Sequence, residues 1–257
     1  EIYSIPLTFA TKTNKNFDEK TPKVWMTTQS LTISTQAANF TAGDWIVFNS
    51  QQVGYYRVDY STELWHSIIN QLTTSHEEIH AINRAVLQDE IYIAWNEFDR
   101  VEVGDVLDFL EYLVDEEYHI SWTKASNTLT ELHNRLFATT DFQNYQKFLV
   151  HITQAHLVKH ELEGVDFEPS SITSLRNSAR HWNCQGLDRD CLTNEHNKFM
   201  EYFTTGSTDS IFNFCHGLRN VDTDIFRQLL NHVAYNASYG NRTNYINNLG
   251  CSLNEQN

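Results

Sequence analysis

The apolar pattern of this chain changes period once, inside Trp45–Tyr60, WIVFNSQQVGYYRVDY. Upstream, apolar residues recur at every second position, the spacing of a half-buried strand. Downstream, they recur about every 3.6 positions, the spacing of an amphipathic helix, and keep that period to the end. Within the stretch, Trp45–Phe48 is a short β-prone run. Asn49–Gly54 carries turn-forming residues, with Gly54 free to take a positive φ. Gly54–Tyr60 reads as a returning strand, and Ser61 as the N-cap of a helix with Glu63 in its first turn.

Expected strands cover residues 1–9, 23–26, 31–35, 45–48 and 55–59, with Pro6 favouring an edge position. From Ser61 onward the sequence predicts about ten helices. The first carries the stripe Leu64, Trp65, Ile68, Ile69 and Leu72. Short connections favour antiparallel neighbours, and no fixed repeat length is visible. The expected fold is mainly α. It is a helical-hairpin superhelix, an irregular α-solenoid over residues 61–257, preceded by a small, partial β-sandwich over residues 1–60.

Hydrophobic residues make up 40% and aromatic residues 13% of the 257, enough for a proper core. The net charge is −15 and no block of Lys or Arg exists, which disfavours nucleic acid and anionic lipid as partners. No apolar run reaches the length of a membrane span. The opening EIYSIPLTF reads as mid-domain, so a piece of a longer product is expected. Four cysteines and three sequons, at Asn39, Asn236 and Asn241, point to the secretory route and an extracellular or cell-surface location.

The junction stretch resembles that of M1-family zinc aminopeptidases, the aminopeptidase N group, where a β-sandwich hands over to a helical C-terminal domain. IHAINRAVLQDEIYIAW is similar to the family's Asn-Arg-Ala helix, with Glu90 where a second Asp is usual. LDFLEYLVDEEYHISWTKA resembles a later family segment, with Trp122 matching. The run at Cys215–Arg219 and the run at Asn248–Cys251 resemble two more. The resemblance covers essentially the whole chain. It implies a catalytic domain upstream, where zinc and a glutamate cleave N-terminal residues from peptide substrates. This segment itself is expected to hold no cofactor and no catalytic residue. Its implied roles are to cap the active-site cleft and to form homodimer contacts. The alternative is a stand-alone extracellular receptor module, since members of the family can dock toxins or viruses.

His76-Glu77-Glu78-Ile79-His80 reads, by itself, as H-E-x-x-H. On a helix, the two histidines would share a face and could hold zinc, with Glu77 as general base. Asp99, 19 residues after His80, would be the third ligand. The resemblance makes this motif a decoy, because it lies after the junction and the family's zinc helix lies before it. The alternative reading has Thr74-Ser75 capping a helix whose solvated first turn holds His76, Glu77 and Glu78.

Sequence alone allows three pairings of Cys184, Cys191, Cys215 and Cys251. The resemblance implies 184–191 and 215–251, leaving no thiol nucleophile. Paired acids such as Glu116-Glu117 and Asp188/Asp190 read as solvated faces. Arg57 lies in an apolar run and is expected to pair with Asp59 or with a carboxylate of the helical part. Trp45, Gly54, Tyr55, Tyr56, Arg57 and Tyr60 are the expected structural residues of the junction.

Overall fold

The computed structural model describes residues 3–160, 168–206, 213–235 and 246–253. Sequons Asn236 and Asn241 lie outside the described residues. The described chain is mainly α with a small β part. Strands β1 (Ile5–Leu7), β2 (Phe9–Thr11), β3 (Val24–Met26) and β4 (Ile46–Phe48) form two antiparallel pairs. β1 pairs with β3, with Ile5 opposite Met26, and β2 pairs with β4, with Phe9 opposite Phe48. Phe9, Ala38 and Ile46 form a small core beneath Ile33, Phe40 and Phe48.

Two expected strands are absent. Residues 31–35 lead instead into the short helix α1 (Thr35–Ala38), because the Ser34 hydroxyl accepts the Ala37 N–H at 3.2 Å and Asn39 closes the turn at φ 50°. A side-chain cap here outcompetes a ladder. Residues 55–59 form no strand either, since side chains, not a neighbouring strand, hold their backbone.

The rest of the described chain is mainly α-helical. The chain divides into two compact units: Glu1–Phe142 with Val158–Ser178, and Gln143–Leu157 with Ala179–Asn257. In the first unit, α2 (Thr62–Ser75) begins at Ser61, whose hydroxyl accepts the Leu64 N–H at 3.4 Å. It buries Trp65, Ile68, Ile69 and Leu72. α3 (Ala81–Asn96) is buried on more than one side, including Asn83, Arg84, Gln88 and Glu90, and packs along α5 (His119–Leu136). α4 (Val103–Leu110) opens with a reciprocal Glu102/Asp105 cap and packs on α2. The main contacts in this unit thus join alternate helices. Most of α6 (Phe142–Lys159) and the last turns of α7 (Ser170–Gln185) belong to the second unit.

In the second unit, the Cys184–Cys191 bridge ties the end of α7 to the start of α8 (Arg189–Thr205). Asp188 caps α8 by accepting the Cys191 N–H at 2.9 Å, so this acid is a cap and not a free solvated face. α8 packs on α9 (Phe214–Leu218), and α10 (Thr223–Tyr235) completes a core of Phe199, Leu218, Val221, Phe226, Leu229 and Val233. The second bridge joins Cys215 to Cys251, and no free cysteine remains.

Candidate functional site

The junction is built from buried polar side chains. Trp45 is buried and its indole N–H donates to Gln71 Oε1 on α2 at 2.9 Å. Tyr60 is buried edge-on to Trp65, with ring centroids 5.1 Å apart, and its hydroxyl oxygen accepts the Phe48 N–H at 3.2 Å. Burial raises the Tyr60 pKa, so the hydroxyl stays neutral. These two aromatics hold β4 and its sequel against the first long helix.

Between them lies a loop with backbone strain. Asn49, Gln51 and Gln52 have φ of 59°, 50° and 57°, a region non-glycine residues rarely enter. Hydrogen bonds overdetermine it. Asn49 Nδ2 donates to the Gly54 carbonyl at 2.9 Å and the Tyr56 carbonyl at 3.1 Å, while its Oδ1 accepts the Gly54 N–H at 2.8 Å. Asn83 of α3 accepts the Gln51 N–H at 2.8 Å and donates to the Asn49 carbonyl at 3.1 Å. The Thr8 hydroxyl accepts the Ser50 N–H at 2.9 Å.

Gly54 is needed here for space. Its φ is not positive, but a Cβ would collide with the Tyr56 ring and lie 3.3 Å from Asn49 Oδ1. Tyr55 is fully exposed, and Tyr56 is half-buried. Arg57 is exposed and forms no ion pair with Asp59, which pairs with Arg100 at 3.1 Å. An arginine that reaches water needs no buried partner. Arg57, Val58, Asp59, Glu90, Ile93, Ala94, Glu97 and Phe98 line a groove of about 460 Å³. Glu90 is 8% exposed and accepts the Val58 N–H at 3.5 Å. Its pKa rises to about 7, because burial outweighs that hydrogen bond and the nearby Arg57 charge.

The residues of the H-E-x-x-H motif connect two helices. α2 runs on through Ser75, so Thr74-Ser75 do not begin a helix. His76–Glu78 is a 3-10 turn, Ile79 is extended, and His80 is the N-cap of α3, its Nδ1 accepting the Ile82 N–H at 3.2 Å. The two histidines therefore lack the shared helix face that a zinc pair requires, and the donor set does not fit the ion. Glu77 is exposed with its pKa lowered, by its own backbone N–H and then the Ser75 hydroxyl. Asp99 sits at φ 52° in a separate surface pocket with Thr62, His66 and Arg100.

The turn is locked by an ion pair that the sequence did not reveal. Arg84 Nε lies 2.6 Å from Glu116 Oε2, Arg84 NH2 lies 2.7 Å from Glu116 Oε1, and NH1 donates to the Ile79 carbonyl at 2.7 Å. Glu116 is 0% exposed, so reading it as a solvated acid is corrected. Trp122 Nε1 donates to the Glu116 carbonyl at 2.9 Å within one recognised segment, and the Arg84–Glu116 pair joins that segment to the Asn-Arg-Ala helix. Asn83-Arg84 was present as a motif, but only folding shows what each side chain holds.

Comparison with known proteins follows the same boundary. Residues 45–257 match the family model "ERAP1-like C-terminal domain". Aminopeptidase N of Plutella xylostella is 27% identical over 98% of this chain and 27% of its own length. Membrane alanyl aminopeptidase of Heliothis virescens is 24% identical over 97% of this chain and 25% of its own. The mouse thyrotropin-releasing hormone-degrading ectoenzyme is 27% identical over 58% of this chain and 14% of its own. The chain spans about a quarter of the length of the first two relatives. It belongs to the ERAP1-like C-terminal domain family and corresponds to the C-terminal portion of M1-family aminopeptidases.

Proposed function

We propose that this segment is the noncatalytic C-terminal part of a secreted or cell-surface zinc aminopeptidase that removes N-terminal residues from peptides. It caps the active-site cleft and supports substrate access and protein contacts, with a domain boundary near residue 60. Zinc and the catalytic glutamate belong to the upstream domain. The observation that carries the reading is the family match from Trp45 to the end of the chain, at the residues where the periodicity changes. The ectoenzyme and membrane aminopeptidase names of the relatives support the location. No helix among the described residues is long and apolar enough to cross a membrane.

The test measures the purified segment and the parent enzyme side by side, with aminoacyl reporter substrates and zinc analysis. The segment is expected to show no hydrolysis and substoichiometric zinc, while deleting it from the parent changes substrate-length preference. Stoichiometric zinc in the segment, with activity abolished by Glu77→Ala, would overturn the reading.

A further inference from the structure

We propose that Asn39 is an N-glycosylation site, its side-chain amide carrying an oligosaccharide. This rests on the secretory location proposed above and adds a site to it. Asn39 follows α1 at φ 50° and ψ 52°. Its backbone is fully engaged: the N–H bonds to the Gln36 carbonyl at 3.2 Å, and the carbonyl accepts the Thr11 hydroxyl at 3.1 Å and the Thr13 hydroxyl. Its carboxamide is exposed and makes no hydrogen bond among the described residues. Phe40 packs on Phe9, Ala38 and Ile46, which anchors the turn from below. The fold therefore holds the main chain still and leaves the amide in solvent.

Thr41 separates a glycan acceptor from a purely conformational asparagine. The left-handed φ accounts for Asn at 39 by itself, since Asn and Gly tolerate it. It does not account for Thr at 41. Thr41 is exposed, its carbonyl closes a turn with the Asp44 N–H at 3.0 Å, and its hydroxyl makes no hydrogen bond among the described residues. Any residue could serve that turn, whereas the acceptor sequence Asn-x-Ser/Thr requires a hydroxyl there. In the transfer, Asn39 Nδ2 bonds to the anomeric carbon of a lipid-diphosphate-linked oligosaccharide. The bond from that carbon to the diphosphate breaks, the lipid diphosphate leaves with the electron pair, and one amide proton is released. The glycan stands beside the Thr11 end of β2, which closes that turn to protein partners.

The experiment uses the natural polypeptide expressed in secretory cells. Trypsin cutting after Lys23 and Arg57 isolates Asn39 as the only sequon in its peptide. Peptide N-glycosidase in heavy-oxygen water is expected to convert Asn39 to labelled Asp in most copies. Asn39→Gly, which suits the same φ, and Thr41→Val are each expected to abolish the label while secretion and the thermal midpoint stay unchanged. Unlabelled Asn39 in a secreted protein with Cys184–Cys191 oxidised overturns this proposal and leaves the proposed function standing. A protein held in the cytosol with reduced cysteines overturns both.

Discussion

Arg84 of α3 and Glu116 form a two-point ion pair, with N–O distances of 2.6 and 2.7 Å, in the interior of the first unit. The third guanidinium nitrogen binds the Ile79 carbonyl in the turn that carries the H-E-x-x-H residues. One arginine thus fixes the α2–α3 connection and the segment leading into α5. Removing either partner strands a buried charge. Arg84→Met and Glu116→Leu are each expected to cost about 3–5 kcal/mol in urea unfolding, and the double variant clearly less than the sum. Additive losses would show that the two do not act as a pair.

Glu90 should give the first unit a basic-side pH dependence. Its pKa is about 7 in the folded chain against an ordinary 4.5, from burial, with Asp89 and Asp59 adding to the shift and Arg57 opposing it. Between those values the folded state holds a proton that the unfolded state has lost. Stability is therefore greatest below pH 4.5 for this group and declines as pH rises through 7. Glu90→Gln should flatten that slope and gain about 1 kcal/mol at pH 8, as read from unfolding midpoints at pH 6 and pH 8.

His216 should act in the opposite direction in the second unit. It is 1% exposed, and neither ring nitrogen has a hydrogen-bond partner among the described residues. Burial first, then the Arg219, His181 and Arg180 charges, lower its pKa to about 3. Between pH 6.5 and 3 the unfolded chain takes up a proton that the folded chain refuses. Stability is full above pH 6.5 and falls as the solution is acidified. His216→Leu should move the acid-unfolding midpoint lower and change stability at pH 7.5 by less than about 1.5 kcal/mol. An unchanged acid midpoint would remove His216 as the cause.

Asn49 is the residue on which the strained loop depends. Asn49→Ala leaves the Gly54 N–H and carbonyl without their partner and places Ala at φ 59°. The expected loss is about 2–4 kcal/mol. Asn49→Gly relieves the φ and should cost less than Ala, so the difference between the two variants measures the strain.

Much of the fold was legible because it rests on local rules. Ser61 caps α2 as the sequence indicates, and Leu64–Leu72 present the stripe that is buried. Trp45 and Tyr60 sit where an apolar junction needs them. The misreadings are local patterns that other contacts or a broken helix override. Residues 55–59 look like a strand by composition, but Asn49 Nδ2 binds the Tyr56 carbonyl and Glu90 accepts the Val58 N–H in place of a ladder. Glu116-Glu117 looks like a solvated pair, because no sequence pattern signals an arginine 32 residues away. The H-E-x-x-H spelling implies a shared helix face only if the backbone stays helical, and here it does not.

Taken alone, the amino-acid sequence determined the switch from period two to period 3.6 and the start of α2 at Ser61. The resemblance, read from the same residues, identified the family and the disulfide pairing that the structure shows. Those depend on neighbours along the chain, or on motifs that survive as strings. Only the tertiary structure decided that Arg84 meets Glu116, that Asn83 braces a strained loop, that Arg57 faces water, and that His80 begins a helix. Those depend on which side chains meet across the core, where a charge or an amide leaves water only when a distant partner replaces it.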